Sequence, residues 1–217
     1  MEIIRVSAPS DELTRAAFTG WRDVPSKDIA LVPTPLNGNP GIKAISPFIE
    51  KSTDHGTVSA LRVSLAHNGD VVAIRLMWQS DKHDQIVDLD EFVDGVAVMF
   101  PLTPLASAFT MGSESDPVNA WYWKGNLRTS AFEVVAKGYG TSVRNNPASS
   151  DIRCDAEHVG EHWHVVLSRP LSVPGGSVVF QPGGETRMAF AVWDGGNRER
   201  SGRKSFSGDF VPVVIAS

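Results

Sequence analysis

The segment FTMGSESDPVNAWYWK, residues 109–124, sets a methionine, Met111, in a glycine-containing polar loop directly ahead of a short strand with two tryptophans and a final lysine. A methionine in a polar loop has no core to fill. Its thioether, turned into an aromatic-walled cavity, is a soft axial ligand for haem iron. Strand alternation puts Asn119, Trp121 and Trp123 on one face, with Lys124 on the other face or at the strand end. Tryptophan packs well on a planar macrocycle and equally well in any core, and methionine is a common core filler. Chemistry alone leaves both readings open.

A second constellation is His158, His162 and His164, with Trp163 between the last two. On a strand, His162 and His164 share a face, as a metal pair requires. The alternative is a solvent-facing strand edge whose inward residues are Trp163, Val165 and Leu167. The polar run Asp81-Lys82-His83-Asp84 reads as a charged loop after a strand. The chain has no G-x-S-x-G, H-E-x-x-H, phosphate-binding or dinucleotide-binding signature. Its single cysteine, Cys154, excludes an internal disulfide and a cysteine-ligated zinc or iron–sulfur site within the chain.

The elements that must position these residues read as short strands. In 217 residues there are 19 glycines and 14 prolines, scattered rather than clustered, which implies frequent turns. The clearest signal is a hairpin. Residues 58–66 and 71–78 alternate, and His67-Asn68-Gly69-Asp70 forms the turn between them. Further strands are expected over 95–100, 119–123, 132–136, 162–167, 178–181, 188–193 and 210–215, with helical pieces only around 11–18 and 90–93. The proline-rich run 33–40 reads as a surface loop. The expectation is an all-β, single-domain antiparallel β-sandwich over residues 1–217 with a few short helices. A net charge of −5 argues against nucleic acid as a partner, and no apolar run is long enough for a membrane span. The first fifteen residues carry no signal-peptide pattern.

Four blocks carry a family resemblance: residues 78–101 (WQSDKHDQIVDLDEFVDGVAVMFP), 110–124 (TMGSESDPVNAWYWK), 164–171 (HVVLSRPL) and 189–205 (AFAVWDGGNRERSGRKS). In that order they resemble the haem b-binding gamma subunit of ethylbenzene dehydrogenase and its relatives. These belong to the type II branch of the dimethyl sulfoxide reductase family, with the selenate, chlorate, dimethyl sulfide and steroid C25 oxidoreductases. The block 81–101 draws it toward the alkyl-hydroxylating members. The resemblance implies a β-sandwich holding one haem b between a methionine and a lysine, with Met111 on the family's methionine. Where the lysine is expected, the chain reads GGETRM (183–188) and has none, and the guanidinium of Arg187 has no free lone pair.

The lysines in the matching half are Lys124, Lys137 and Lys204. A ligating lysine must be neutral, which favours one that the fold buries. Lys137, closing an apolar strand before a glycine turn, ranks first as second axial ligand. Lys124 is an alternative, or a partner for a haem propionate. Met188 would give a bis-methionine site and His158 a Met/His site. The implied function is electron transfer, not catalysis. A molybdenum-containing catalytic alpha subunit and an iron–sulfur beta subunit are the implied partners, and a soluble acceptor takes the electrons. The basic run Arg198–Lys204 is one candidate for a partner-facing surface. The family further implies a periplasmic location, as a passenger exported with the catalytic subunit, with a cytoplasmic one left open. The rival reading is a haem-free binding module using Trp121, Trp123 and Trp163 as a stacking surface.

Overall fold

The computed structural model describes all residues except 39, 83, 86–91, 128 and 174–177. In chain order the strands are β1 (Glu2–Arg5), β2 (Ser26–Ala30), β3 (Val32–Pro33), β4 (Ala60–His67), β5 (Val71–Gln79), β6 (Gly95–Pro101), β7 (Val118–Lys124), β8 (Phe132–Ala136), β9 (Val143–Arg144), β10 (Arg153–Val159), β11 (His162–Pro170), β12 (Glu185–Trp193), β13 (Ser205–Phe206) and β14 (Val211–Ile215). The helices α1 (Ser10–Leu13), α2 (Pro40–Ile45) and α3 (Pro47–Glu50) are each one or two turns long.

One layer runs β10-β11-β5-β4-β1, with β2 also on β4. The other runs β14-β12-β6-β7-β8-β9, with β13 on β12 and β3 on β13. The expected sandwich is present. Its antiparallel ladders have one exception, β1, which pairs in parallel with β4 through Ile4 and Arg5 and with β14 through Glu2 and Ile3. A strand shared in this way joins the two layers along one side and leaves fewer exposed edges.

Alternation explains the core. Leu61, Val63 and Leu65 of β4 and Ile74, Leu76 and Trp78 of β5 point inward, against Val96, Val98 and Phe100 of β6 and Trp121 and Trp123 of β7. The hairpin turn falls where the Asn-Gly pair predicts it. Asn68 Oδ1 accepts from the amides of Asp70 and Val71 at 3.0 Å each, and Gly69 takes φ 98°.

Some expectations are corrected. Residues 178–181 are not a strand. Val178 and Phe180 are buried as an irregular segment, with the Phe180 amide bonded to Leu171 O at 3.2 Å. Apolar alternation there serves burial without a ladder partner. The helical piece at 90–93 falls partly outside the described residues, and Phe92 and Val93 are irregular. His83 of the charged tetrapeptide is also outside them, as is much of the block at 81–101. Strands β1, β2 and β10 were not expected, since their mixed polar sequences are paired by tertiary context.

Candidate functional site

The site lies on the outer face of the second layer. Ala97 of β6 pairs with Tyr122 and Ala191, and Met99 with Ala120 and Ala189. Because side chains alternate, these residues face away from the core. Four alanines in neighbouring positions leave space where larger side chains would fill it. The loop carrying Met111, the loop after β12 and helices α2 and α3 rise around this floor, enclosing a cavity of about 590 Å³. That size lies within the range of small-molecule and cofactor sites.

Met111 lines the cavity and packs beside Met99, Val118 and Ala136. Its backbone is left-handed, φ 58°, a conformation that costs a non-glycine residue roughly 1–2 kcal/mol. Its amide bonds to Ala108 O at 3.2 Å and its carbonyl accepts from Gly138 at 3.0 Å, which holds it there. Gly112 follows with φ 80°, where a Cβ would come 2.8 Å from Asp116 O. The other left-handed non-glycine residues described, Arg198 and Ser201, lie in the opposite loop.

That opposite loop carries Lys204, which is buried at 9% exposure and lines the same cavity. Thr34 donates to Lys204 O through its amide (3.0 Å) and its hydroxyl (3.1 Å). Ser205 and Phe206 then pair with β12 and β3. The loop is tied down by Glu199, also buried, whose carboxylate accepts from the amides of Gly56 (2.6 Å), Thr57 (3.2 Å) and Asp194 (3.1 Å). The Lys204 amine has no carboxylate partner among the described residues and lies 4.9 Å from the ring centroid of Trp193. Burial brings its pKa down to about 8.

Lys124 lines the cavity and is half-buried. Burial, and then the charge of Arg144, hold its pKa below the ordinary lysine value. Tyr122 lies beside it on the cavity face, with its phenol pushed up to about 12 by burial.

The remaining predicted residues lie elsewhere. Asn119, Trp121 and Trp123 are not on the cavity wall. They face the sandwich core at 0%, 0% and 1% exposure, because strand periodicity turns them away from Ala120, Tyr122 and Lys124. Trp163 is in the same core, stacked near Trp78 and 4.9 Å from Trp123, so no exposed tryptophan platform exists on these residues. Lys137 is outside the cavity. Its Nζ pairs with Glu114 at 2.7 Å and its side chain is 46% exposed. Met188 is fully buried in the core, on the inner face of β12. His158 Nε2 contacts Ser80 O at 3.0 Å on the first layer. His164 Nδ1 meets Arg75 Nη2 at 3.0 Å, and burial with the nearby cationic groups lowers its pKa, a setting unfavourable to a metal.

Among the described residues, the convergent set of three potential ligand atoms is Asp84, Asp94 and Asp194, within 4.8 Å of one another, and it includes no histidine. Asp94 is already engaged. Its oxygens accept from Trp163 Nε1 (2.7 Å), Ser80 Oγ (3.0 Å) and the Gly195 amide (2.8 Å), tying the core to the start of the Lys204 loop.

Sequence reasoning undervalued Lys204 because GGNRERSGRK looks like solvated loop. A usable signal was the period-2 spacing of Lys204 and Phe206 ahead of a β-bridge, since both reach the cavity.

Fold and cavity define a β-sandwich with a cofactor-sized cavity on the outer face of one layer. The family profile described as ethylbenzene dehydrogenase matches residues 19–149 and 141–205, and the chain belongs to this family. It is 34% identical to the chlorate reductase subunit gamma of Ideonella dechloratans, over 94% of this chain and 80% of that one. It is 30% identical to a putative respiratory nitrate reductase heme subunit of Haloferax mediterranei, over 91% and 67%. A putative carbohydrate-binding protein from Bacteroides uniformis shares the fold at TM-score 0.58 and 9% identity, covering 99% of this chain and 98% of that one. At that identity the likeness concerns architecture alone.

Proposed function

We propose that the cavity holds one haem b, and that Met111 and Lys204 are the residues that would ligate its iron. The observation that carries this reading is the Lys204 amine, buried without a carboxylate partner in the cavity that Met111 also lines. A buried lysine with no counter-charge is costly unless it is neutral. A neutral amine and a thioether are a donor set that iron in a macrocycle accepts. Bound there, haem supplies one-electron exchange, and a thioether ligand favours a raised potential.

The chain's own residues bind, orient and exclude water. Burial brings the pKa of the Lys204 amine down to about 8, and Thr34 and Glu199 anchor the loop that carries it. Met111 is held toward the cavity by its left-handed backbone. The alanine floor and the α2–α3 wall limit solvent access. The names of the relatives, a gamma subunit and a heme subunit, support a non-catalytic electron-transfer role within a multisubunit oxidoreductase. In this proposal a molybdenum-containing catalytic subunit oxidises or reduces the substrate, and an iron–sulfur subunit relays electrons to or from this chain. An external acceptor completes the path in the oxidative direction. In this proposal the assembly works in the periplasm.

The test is optical. Apoprotein reconstituted with haem b should give a Soret band and sharp α and β bands on reduction. Near-infrared magnetic circular dichroism should report Met/Lys ligation, and this signature should be lost in both Met111→Ala and Lys204→Ala. An unchanged spectrum in Lys204→Ala would remove Lys204 from the iron.

A further inference from the structure

The cavity carries more positive charge than an axial pair explains. Among the described residues its charged lining consists of Lys124, Arg144, Arg200 and Lys204 against one acid, Glu199. Glu199 makes no ion pair with them among the described residues, and its oxygens accept from the backbone amides of Gly56, Thr57 and Asp194. This excess sits in a chain whose net charge is −5, so it is a local feature of the site rather than of the composition.

Within that set, Lys124 and Arg144 line the cavity from the ends of two strands separated by β8. Lys124 ends β7 and Arg144 ends β9. Neither side chain has an ion pair among the described residues. They are close enough for the guanidinium to disfavour the ammonium. Two cations lining one cavity without an anion repel, and a carboxylate received between them turns that repulsion into charge-assisted hydrogen bonds.

Arg144 is also aimed. Its guanidinium lies 5.5 Å over Phe132, Phe132 stacks on Tyr122 at 6.0 Å, and Tyr122 stands 4.9 Å from Trp193. Lys204 rests 4.9 Å from that same indole. A row of three rings therefore lies between the buried amine and the guanidinium.

We propose that Lys124 and Arg144 form a carboxylate clamp that takes the propionate side chains of the macrocycle and sets the orientation in which it enters. The inference rests on the haem reading above. It adds a recognition element that neither axial ligand provides, since a thioether and an amine do not distinguish one edge of the ring from another.

The experiment titrates the apoprotein with haem b and with haem b dimethyl ester, whose propionates are blocked, following the Soret band. Unmodified protein should bind the ester about 10- to 100-fold more weakly, as expected for lost hydrogen bonds to charged groups. Lys124→Met/Arg144→Met should weaken haem b binding to the level of the ester and leave ester affinity unchanged. Arg144→Lys should keep part of the discrimination. Equal binding of haem b and ester by the unmodified protein overturns the clamp while leaving the axial pair standing. Discrimination that persists in the double variant overturns it as well. Uptake of neither compound overturns the haem reading, and the clamp with it.

Discussion

Lys204 Nζ stands 4.9 Å from the ring centroid of Trp193, and Trp193 Nε1 donates to Ser201 O at 3.0 Å. One indole thus fastens the loop that delivers the lysine and supplies the surface its amine rests on. A cation–π contact favours the ammonium by about 1–2 kcal/mol at best. Burial acts the other way and prevails, bringing the amine from 10.5 to about 8, roughly 3 kcal/mol against the charged form. The fold prepares a base near neutrality without a carboxylate to hold its proton.

This preparation costs the apoprotein stability, with a defined pH signature. The lysine titrates near 10.5 when unfolded and near 8 when folded. Between those values the unfolded chain binds more protons, so apoprotein stability rises with pH across the window. Below about pH 8 the full cost remains. Lys204→Met removes it, and the variant apoprotein should be more stable at pH 7 by roughly 2–3 kcal/mol. It should also lose the rise between pH 8 and 10.5. Urea unfolding at pH 7 and pH 9.5 checks both. Identical profiles for the two proteins would mean the amine is not desolvated.

Met111→Gly separates backbone from ligand. Glycine adopts φ 58° without strain, which offsets the packing lost beside Val118 and Ala136. Apoprotein stability should change by no more than about 1 kcal/mol, while the reconstituted spectrum loses its low-spin methionine character. A large loss of stability would show that Met111 is chiefly a packing residue.

Glu199→Ala should act on the site through the loop. It leaves the part-buried amides of Gly56, Thr57 and Asp194 without their acceptor, at a cost of about 2–4 kcal/mol. Haem affinity should fall in parallel, because the loop positions Lys204. Calorimetric unfolding and a haem titration on the same variant test the link, and retained affinity in a destabilised protein would break it.

The tryptophans should behave as core. Trp121→Ala should cost about 3–5 kcal/mol in unfolding free energy, since Trp121 is 0% exposed and packs on Phe100 and Phe180 at 5.1 and 5.7 Å. Tyr122→Phe, on the cavity face, should leave stability nearly unchanged and shift the spectrum of the bound cofactor. The reverse pattern would put the ligand inside the sandwich instead of on its outer face.

How much of this was legible varies with the range of the interaction. The hairpin over 60–79 was readable because alternation and an Asn-Gly turn are local properties, and the structure reproduces them within two residues. The strand 118–124 was equally plain, but which of its faces met the core was not. Two tryptophans looked like a pocket wall, and the larger apolar surface was instead drawn inward, leaving Ala120, Tyr122 and Lys124 for the cavity. Met111 stood out as a methionine without a packing role, and its left-handed backbone needed coordinates to be seen.

The sequence by itself determined the sandwich, the family and the loop that carries Met111, because each is written in contiguous patterns of residue type. Only the tertiary structure distinguished the lysines by burial. Lys137 has the more apolar sequence neighbours, yet it pairs with Glu114 in solvent. Lys204 lies in a polar loop, yet contacts with Thr34, Gly56 and Thr57 fold that loop onto the sheet and bury its amine. Desolvation depends on which distant segments close over a side chain, and no local pattern encodes it.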